Sequence, residues 1–276
     1  MTSTPVAVVS LAVAVLAYGL ATGLLSEGAQ NTDGPAWRHP AWLTGSALQA
    51  VGFLAAFLAR HALPLLVVQP AVASSIVVAV VVARVRGRWS LSRRDSAVLM
   101  GALLGLGLVS AVSVPGPSRA LAAGPLVACA AALALAAIAV VVAHRVDGRT
   151  WFVSAVAAGA AFGVSAVAAR ALAGGATALP SVAGMLHQRS AWATLAIVVV
   201  GTVVGQATLT QSLAGGRVVA PMTAMYAVST VGPAAAGLVW LGDRVHQGLL
   251  PIAVLGGSLA LICSMLLERH SPEASR

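Results

Sequence analysis

Nine long apolar stretches occupy most of this chain, and all seven acidic residues fall outside them. A helix of 20 residues rises about 30 Å, roughly the thickness of the hydrocarbon core of a bilayer, so each stretch is long enough to cross it. The pattern predicts an all-α polytopic membrane protein of nine transmembrane helices that works without a buried carboxylate. The stretches cover residues 5–25, 40–62, 63–85, 96–114, 121–143, 151–172, 190–212, 217–241 and 248–267.

The composition leaves little material for a soluble domain. Hydrophobic residues make up 59% of the 276 positions, charged residues make up 8%, and the mean hydropathy is +0.94. Soluble domains average roughly 25% charged residues. The stretches and their short connections leave no room for a separate catalytic or ligand-binding module. The first stretch has no basic segment before it and exceeds the core of a signal peptide, so we expect it to remain as a mature helix.

The arginines predict how the chain is oriented. Arginine supplies the whole formal charge of +9, since the chain has no lysine, and we expect it to contact membrane lipid and no nucleic acid. Basic residues near span ends are retained in the cytoplasm, so an eleven-to-five split predicts a multi-pass protein of the cytoplasmic (inner) membrane with an outside N-terminus and a cytoplasmic C-terminus. The cytoplasmic set is Arg38, Arg84, Arg86, Arg88, Arg93, Arg94, Arg145, Arg149, Arg217, Arg269 and Arg276, and the outer set is Arg60, Arg119, Arg170, Arg189 and Arg244.

An internal echo indicates a duplication. The segment LLVVQP ends at Pro70 and GRVVAP ends at Pro221, 151 residues later, while V-L-x-G-x-L begins at Val98 and again at Val254, 156 residues later. The third and eighth stretches are an odd number of helices apart, so the two copies would cross the membrane in opposite directions. We expect an inverted repeat with four helices in residues 1–114, five helices in residues 121–267 and a cytoplasmic tail in residues 268–276.

Each half carries a proline-bearing helix, a short charged turn and a glycine-rich helix. This pattern resembles the drug/metabolite transporter (DMT) superfamily with its EamA-type repeats. The resemblance implies a transporter that moves small organic compounds by alternating access. Members commonly have ten helices in two sets of five, so the first set here would lack one helix.

The spacing of Gly52, Pro64 and Pro70 is similar to that of the NIPA-type magnesium transporters, which also have nine spans. That family has an acidic residue directly after the glycine, where this chain has Phe53, and a nearby asparagine, where this chain has Ala56. Magnesium prefers hard oxygen ligands, usually with at least one carboxylate. The spacing therefore carries over while the metal chemistry does not.

Few polar side chains lie inside the apolar stretches, and these are the candidates for a substrate cavity. An unpaired amide is costly in hydrocarbon, and a proline frees backbone carbonyls that are tolerated only against protein or water. The competing interpretation is hydrogen bonding between helices, worth about 0.6 kcal/mol each. The pattern predicts a pocket for a neutral, zwitterionic or modestly amphiphilic small molecule. The candidates are Gln49, Gln69, Pro70, Ser74, Gln206, Thr210, Pro221, Thr223, Tyr226 and Thr230.

Three basic or titratable residues near outer span ends are candidates for the outer mouth of such a cavity. Arg60 and Arg170 could attract an anionic solute there, although snorkelling of both side chains to the headgroups is the competing interpretation. His61 adjoins Arg60 and could sense pH. No histidine pairs with another ligand at helical spacing, so we expect neither a metal site nor a cofactor.

These observations favour a secondary transporter over an enzyme. The chain lacks a phosphate-binding glycine loop for ATP and an embedded carboxylate for proton coupling. Three alternatives remain open: a flippase for a lipid-linked sugar or polyprenyl phosphate, a NIPA-like divalent-cation transporter, and an intramembrane serine hydrolase. The last is suggested by Ser165 in Gly-Val-Ser, but no histidine lies within a predicted span to serve as its base. A homodimer is compatible with the sequence.

Overall fold

The chain forms a bundle of α-helices with two very short strands at one end. The computed structural model describes residues 4–30, 34–60, 63, 65–85, 92–114, 121–143, 145, 150–173, 189–215 and 218–270. Within these residues the helices are α1 (Thr4–Ala29), α2 (Pro40–Ala59), α3 (Leu65–Ala73), α4 (Ser75–Val85), α5 (Arg93–Ala111), α6 (Ala123–Ala143), α7 (Thr150–Ala173), α8 (Arg189–Ala214), α9 (Val219–Ala236) and α10 (Leu250–His270). A 3₁₀ turn (Ala36–Arg38) precedes α2, a π-helical turn (Gly237–Leu241) continues α9, and the strands are β1 (Ser113–Val114) and β2 (Arg244–Val245).

The bundle is that of a polytopic membrane protein. Helices α1, α2, α6, α7, α8 and α9, the last with its π-helical turn, are long and apolar enough to cross a bilayer. Shorter apolar helices cover Val67–Val82, Ser96–Val109 and Leu250–Leu259 in the remaining predicted spans. Large apolar side chains on the outside, such as Leu54, Leu135 and Val203, are more than 60% exposed, as expected where lipid and not water is the solvent.

The third predicted span is divided into α3 and α4. Pro70 lies inside α3 and has no backbone N–H to donate, which weakens the helical hydrogen-bond ladder. The two helices are separated at Ser74, whose hydroxyl donates to the carbonyl of Ala71 at 2.6 Å. A serine that bonds to its own backbone competes with continuation of the helix. The interruption places Ser75 at the start of α4.

The end of α9 folds back on itself. The π-helical turn is followed by Gly242 in the left-handed region, with a φ of 79° that a glycine adopts without steric cost. The backbone N–H of Asp243 donates to the carbonyl of Gly237 at 2.9 Å. A side chain at position 237 would collide with the Asp243 carboxylate, since a Cβ there would lie 2.7 Å from Oδ2. This local geometry turns Asp243 into the bundle.

The helices pack in two groups of three and one further pair. Helix α1 packs on α2 and α4, helix α7 packs on α8 and α9, and α5 packs on α10. Glycines allow the close contacts, because a Cβ on Gly159 would lie 2.6 Å from the carbonyl of Met225 and one on Gly205 would lie 2.8 Å from the ring of Phe162. Helix α6 packs on the outside of α7 and also touches α8.

The strands β1 and β2 join α5 to the beginning of α10. They pair antiparallel, with Ser113 opposite Val245 and Val114 opposite Arg244. The N–H of His246 adds a bond to the carbonyl of Val112 at 3.0 Å. We call this end of the bundle, which also contains Arg60, Arg170 and Asp243, the arginine end. The opposite end, with Trp42, Ser46, Gln206 and Thr210, is the tryptophan end.

Candidate functional site

A cavity lies at the centre of the bundle, between α1, α2, α3, α7, α8 and α9. Its volume is about 50 Å³, which is enough for a few water molecules. Drug-sized ligands occupy pockets of roughly 300–1,000 Å³, so this conformation is narrow. The lining residues are Tyr18, Ala21, Thr22, Leu25, Gln49, Phe53, Arg60, Gln69, Val72, Phe162, Ala166, Leu209, Met222, Met225, Tyr226 and Ser229.

Two glutamines supply amide groups to the cavity wall. Gln49 projects from the middle of α2, and its buried Oε1 has no hydrogen-bond partner among the described residues. Gln69 lies on α3 directly before Pro70 and is only 5% exposed. An unsatisfied buried acceptor costs about 1–3 kcal/mol, which a water or a ligand donor could recover. The amides can therefore bind a polar solute that enters the cavity.

Hydroxyl groups form a second polar cluster, in which Thr22 and Tyr226 line the cavity and Ser75 lies behind the tyrosine. Ser75 donates from the start of α4 to the phenol oxygen of Tyr226 on α9 at 2.6 Å, and this bond is buried. The side chain of Thr22 also hydrogen-bonds Tyr226, while its hydroxyl lies 2.9 Å from the carbonyl of Tyr18. These bonds hold the tyrosine ring between α1, α4 and α9. The ring is thus a fixed wall of the cavity.

Buried charges close the arginine end of the cavity. Arg60 caps the C-terminus of α2, is 3% exposed and lines the cavity, with its guanidinium 5.6 Å from the centre of the Phe53 ring. Arg170, 4% exposed, donates from Nη1 to the backbone carbonyl of Arg60. Asp243 lies 4.0 Å from Nη2 of Arg170. Three loop or helix-end residues thus form one buried cluster.

This cluster corrects two expectations from the sequence. The expectation of no buried carboxylate is wrong, because Asp243 is 3% exposed. Its position just beyond an apolar stretch indicates a loop, but the fold-back at Gly242 returns it to the protein interior. The snorkelling interpretation of Arg60 and Arg170 is also wrong, since both side chains point into protein and are buried.

The structure brings some of the sequence candidates together and separates others. Gln49, Gln69, Tyr226 and Arg60 line the one cavity, and Arg170 lies directly behind Arg60. The candidates that lie on cavity-forming helices without contributing to the lining are Pro70, Pro221, Thr223 and Thr230. Ser74, in the turn between α3 and α4, is also outside the lining. His61 lies outside the described residues.

Gln206 and Thr210 join helices at the tryptophan end. Gln206 donates from Nε2 to the hydroxyl of Ser46 at 3.2 Å, and Trp42 donates from Nε1 to the hydroxyl of Thr210 at 3.0 Å. Both bonds connect α8 to the first turns of α2. This is the interhelical role that the sequence left open as the alternative to cavity lining.

Several cavity residues were not among the sequence candidates, and four of these are polar or aromatic side chains on α1, α2 and α7. Tyr18 and Thr22 lie one turn apart on α1, Phe53 lies on α2 and Phe162 lies on α7. Tyr18 and Thr22 could have been predicted from the sequence. The chain has only two tyrosines, and the polar residues Tyr18, Thr22 and Ser26 recur every four residues in an otherwise apolar stretch. Phe53 was marked only by the NIPA-type spacing, which has an acidic residue at that position, and Phe162 had no signal, since a phenylalanine in a membrane helix usually faces lipid or packing neighbours.

A second, larger cavity is a wholly different environment. It lies between α6, α7 and α9 and has a volume of about 370 Å³. Its lining is apolar, including Cys129, Val167, Pro233 and Trp240. Such a groove suits hydrocarbon and offers little to a polar solute.

Ser165 lies at the contact between α7 and α8. It is fully buried, and its hydroxyl lies 3.0 Å from the carbonyl of Ala161 and 3.2 Å from that of Val198. Gly201 on α8 approaches the same hydroxyl. These contacts are those of a packing residue in a membrane helix.

Comparison with known proteins gives no relative for this chain. No family model, curated protein or solved structure matches it.

Proposed function

We propose that this protein is a secondary transporter that moves a small amphiphilic organic solute across the cytoplasmic membrane by alternating access. The observation that carries the proposal is the hydrogen bond between Ser75 and Tyr226, the second of which lines the central cavity. The two residues are 151 apart, the same offset that separates Pro70 from Pro221. Residues at equivalent positions of an inverted repeat meet each other only on the pseudo-two-fold axis, where such transporters bind substrate.

A second contact joins corresponding helices. A Cβ on Gly256 of α10 would lie 2.5 Å from the carbonyl oxygen of Gly105 on α5. The V-L-x-G-x-L echo pairs these two helices at an offset of 156, so the two glycines are not themselves equivalent residues, but the two helices are. Close packing of α5 on α10 therefore supports an inverted repeat of residues 1–114 and 121–267.

The helix packing supports the same relationship. If α3 and α4 correspond to α9, then α1, α2 and α5 correspond to α7, α8 and α10. The close pair α1 and α2 then matches α7 and α8, and the contact of α1 with α4 matches that of α7 with α9. Helix α6 has no counterpart, in agreement with the four-plus-five division. The drug/metabolite transporter superfamily remains the resemblance that fits this arrangement.

The lining supports an organic solute over a magnesium ion. A divalent cation requires oxygen ligands, commonly carboxylates, whereas Phe53 lies in the lining at the position where the NIPA-type pattern has an acidic residue. The guanidinium of Arg60 lies beside that ring and would repel a cation. The aromatic and methionine side chains of the wall suit an apolar solute body.

A flippase is the second candidate, and the apolar groove between α6, α7 and α9 favours it. Hydrocarbon could occupy that groove while a headgroup entered the bundle. A dithionite-quenching assay with fluorescent phospholipids in proteoliposomes tests this directly. Lipid movement that requires the protein and is lost in Ala132→Trp, which fills the groove, would favour the flippase over the transporter.

Solute flux in proteoliposomes tests the proposal. Purified protein would be reconstituted into liposomes. Uptake of radiolabelled aromatic acids, their amides and aromatic amino acids would then be measured. We expect saturable, temperature-dependent uptake of at least one solute, reduced in Gln69→Ala but not in Ser165→Ala. Flux of none of these solutes above protein-free liposomes would contradict the proposal.

A further inference from the structure

We propose that Arg60 is the anion-binding residue of the central cavity and that the solute carries a carboxylate attached to an apolar body. This inference rests on the proposed transport function and adds the chemical class of the solute. The first observation is geometric. Arg60 is 3% exposed, lines the cavity, and has a buried Nε and Nη1 that make no hydrogen bond within the part of the chain that the structure describes.

The local charges leave a positive excess at this site. Arg60, Arg170 and Asp243 are the buried charged residues among those described. The carboxylate of Asp243 lies next to Arg170, so that pair is close to neutral, and no other buried carboxylate in the described residues remains as a counterion for Arg60. A buried charge with no partner is costly, and a monovalent anion in the cavity would remove that cost.

Arg60 is also held in position to bind. Its backbone N–H donates to the carbonyl of Ala56 at 3.0 Å, and its own carbonyl accepts from Arg170. The guanidinium lies over the Phe53 ring. A planar guanidinium with free N–H groups matches the geometry of a carboxylate. In this conformation the cavity is large enough for a carboxylate group. The rest of the solute would require a conformation with a wider cavity.

The remaining wall selects an apolar body for the anion. Phe162, Leu209, Met222 and Met225 line the cavity beyond the arginine. The neutral amides of Gln49 and Gln69 lie among them and add no charge. The cavity is surrounded by six helices, which favours a soluble organic acid over the headgroup of a lipid.

The test uses the full-length protein in detergent and two matched pairs of probes, phenylacetate with phenylacetamide and hexanoate with hexanamide. Binding is measured by isothermal titration calorimetry. We expect wild-type protein to bind at least one acid about tenfold or more tightly than its amide, because a hydrogen bond to a charged group contributes about 1.4 kcal/mol or more. Binding of neither acid, or equal binding of acid and amide, would overturn the inference.

Variants at the arginine end locate the effect. Arg60→Gln should weaken acid binding about tenfold and amide binding much less, and Arg60→Lys should retain part of the preference. Arg244→Gln, which removes an exposed arginine at the same end, should change neither. If Arg60→Gln does not fold, the inference is tested by the acid preference of the wild-type protein and of Arg60→Lys. Equal losses for acid and amide would contradict an anion-binding role.

Two further results distinguish this inference from a lipid-binding role and from the transport proposal. If phosphatidylglycerol competes with the acid for binding, Arg60 binds a lipid headgroup, and the inference of a soluble organic acid is overturned. In proteoliposomes, uptake of amides without uptake of acids would leave the transport function standing and defeat only the anion. Uptake of neither would defeat the transport function whatever the binding shows.

Discussion

The two ends of the bundle are closed by different chemistry. At the arginine end, three charged side chains are buried against one another, and the bond from Arg170 to the carbonyl of Arg60 joins α7 to the end of α2. At the tryptophan end, two neutral hydrogen bonds join α2 to α8 through Trp42, Thr210, Ser46 and Gln206. Helix α2 is therefore bonded to the second half of the chain at both ends.

The difference indicates how the two ends could open in turn. Neutral, partly buried hydrogen bonds contribute about 0.5–1.5 kcal/mol each, whereas removing one partner of a buried ion pair costs about 3–5 kcal/mol. We infer that the tryptophan end opens more easily in the conformation described here. The predictions below test that ordering, beginning with the largest effect.

The largest effect is expected from Asp243→Asn. The substitution leaves Arg170 buried without its carboxylate partner, so the free energy of unfolding should fall by about 3–5 kcal/mol. Denaturant titration in detergent, followed by tryptophan fluorescence, measures the change. Arg244→Gln is the matched control at the adjacent, exposed position and should change stability by less than about 0.5 kcal/mol. Equal stability of Asp243→Asn and wild type would show that the arginine end is not held by charge.

A double substitution should recover part of that loss. Arg170→Gln together with Asp243→Asn removes a positive and a negative charge at once, so the pair should cost about 2 kcal/mol less than the sum of the single variants. The same titration gives the four stabilities of the cycle. Strict additivity would mean that the two charges do not interact.

The cavity wall between the ends should affect flux more than stability. Tyr226→Phe removes the acceptor of the Ser75 hydroxyl and should cost about 1–2 kcal/mol of stability, while Gln69→Ala removes an amide from the lining. Both variants should reduce transport per molecule more than they reduce protein abundance. The measurements are uptake in proteoliposomes and quantitative immunoblotting of membranes. Unchanged flux in both variants would remove these residues from the site.

The smallest effect is expected at the tryptophan end. Trp42→Phe keeps an aromatic ring but loses the N–H that donates to Thr210, so stability should fall by about 1 kcal/mol. In Thr210→Val the same bond is lost, and adding Trp42→Phe should then cost little more. A loss as large as that of Asp243→Asn would reverse the proposed order of the two ends.

The positions of the helices could be predicted from the sequence because hydropathy is a local property of each segment. The predicted stretch 121–143 corresponds to α6, Ala123–Ala143, and the stretch 151–172 to α7, Thr150–Ala173. Pro70 marked the span that the structure divides. These features depend on local composition, which a membrane converts directly into helices.

The arginine end could not be predicted because it depends on contacts distant in sequence. Arg60 and Arg170 are 110 residues apart, and neither position shows by itself whether the side chain reaches lipid or protein. Asp243 is buried because Gly237 and Gly242 permit a fold-back that hydropathy cannot register. The sequence identified three of the six neutral polar side chains in the cavity lining, since a polar group inside a span has few alternatives; these are Gln49, Gln69 and Tyr226.

Cysteine accessibility gives the most direct test of a cavity that opens to each side in turn. Ser229→Cys, in a Cys129→Ala/Cys263→Ala background, places one near-isosteric thiol in the cavity lining. Ser165→Cys in the same background is the control, buried at the α7–α8 contact and outside the lining. In right-side-out and inside-out vesicles, a membrane-impermeant maleimide should label Ser229→Cys from both sides and Ser165→Cys from neither. Labelling of Ser229→Cys from one side only, or from neither, would contradict alternating access.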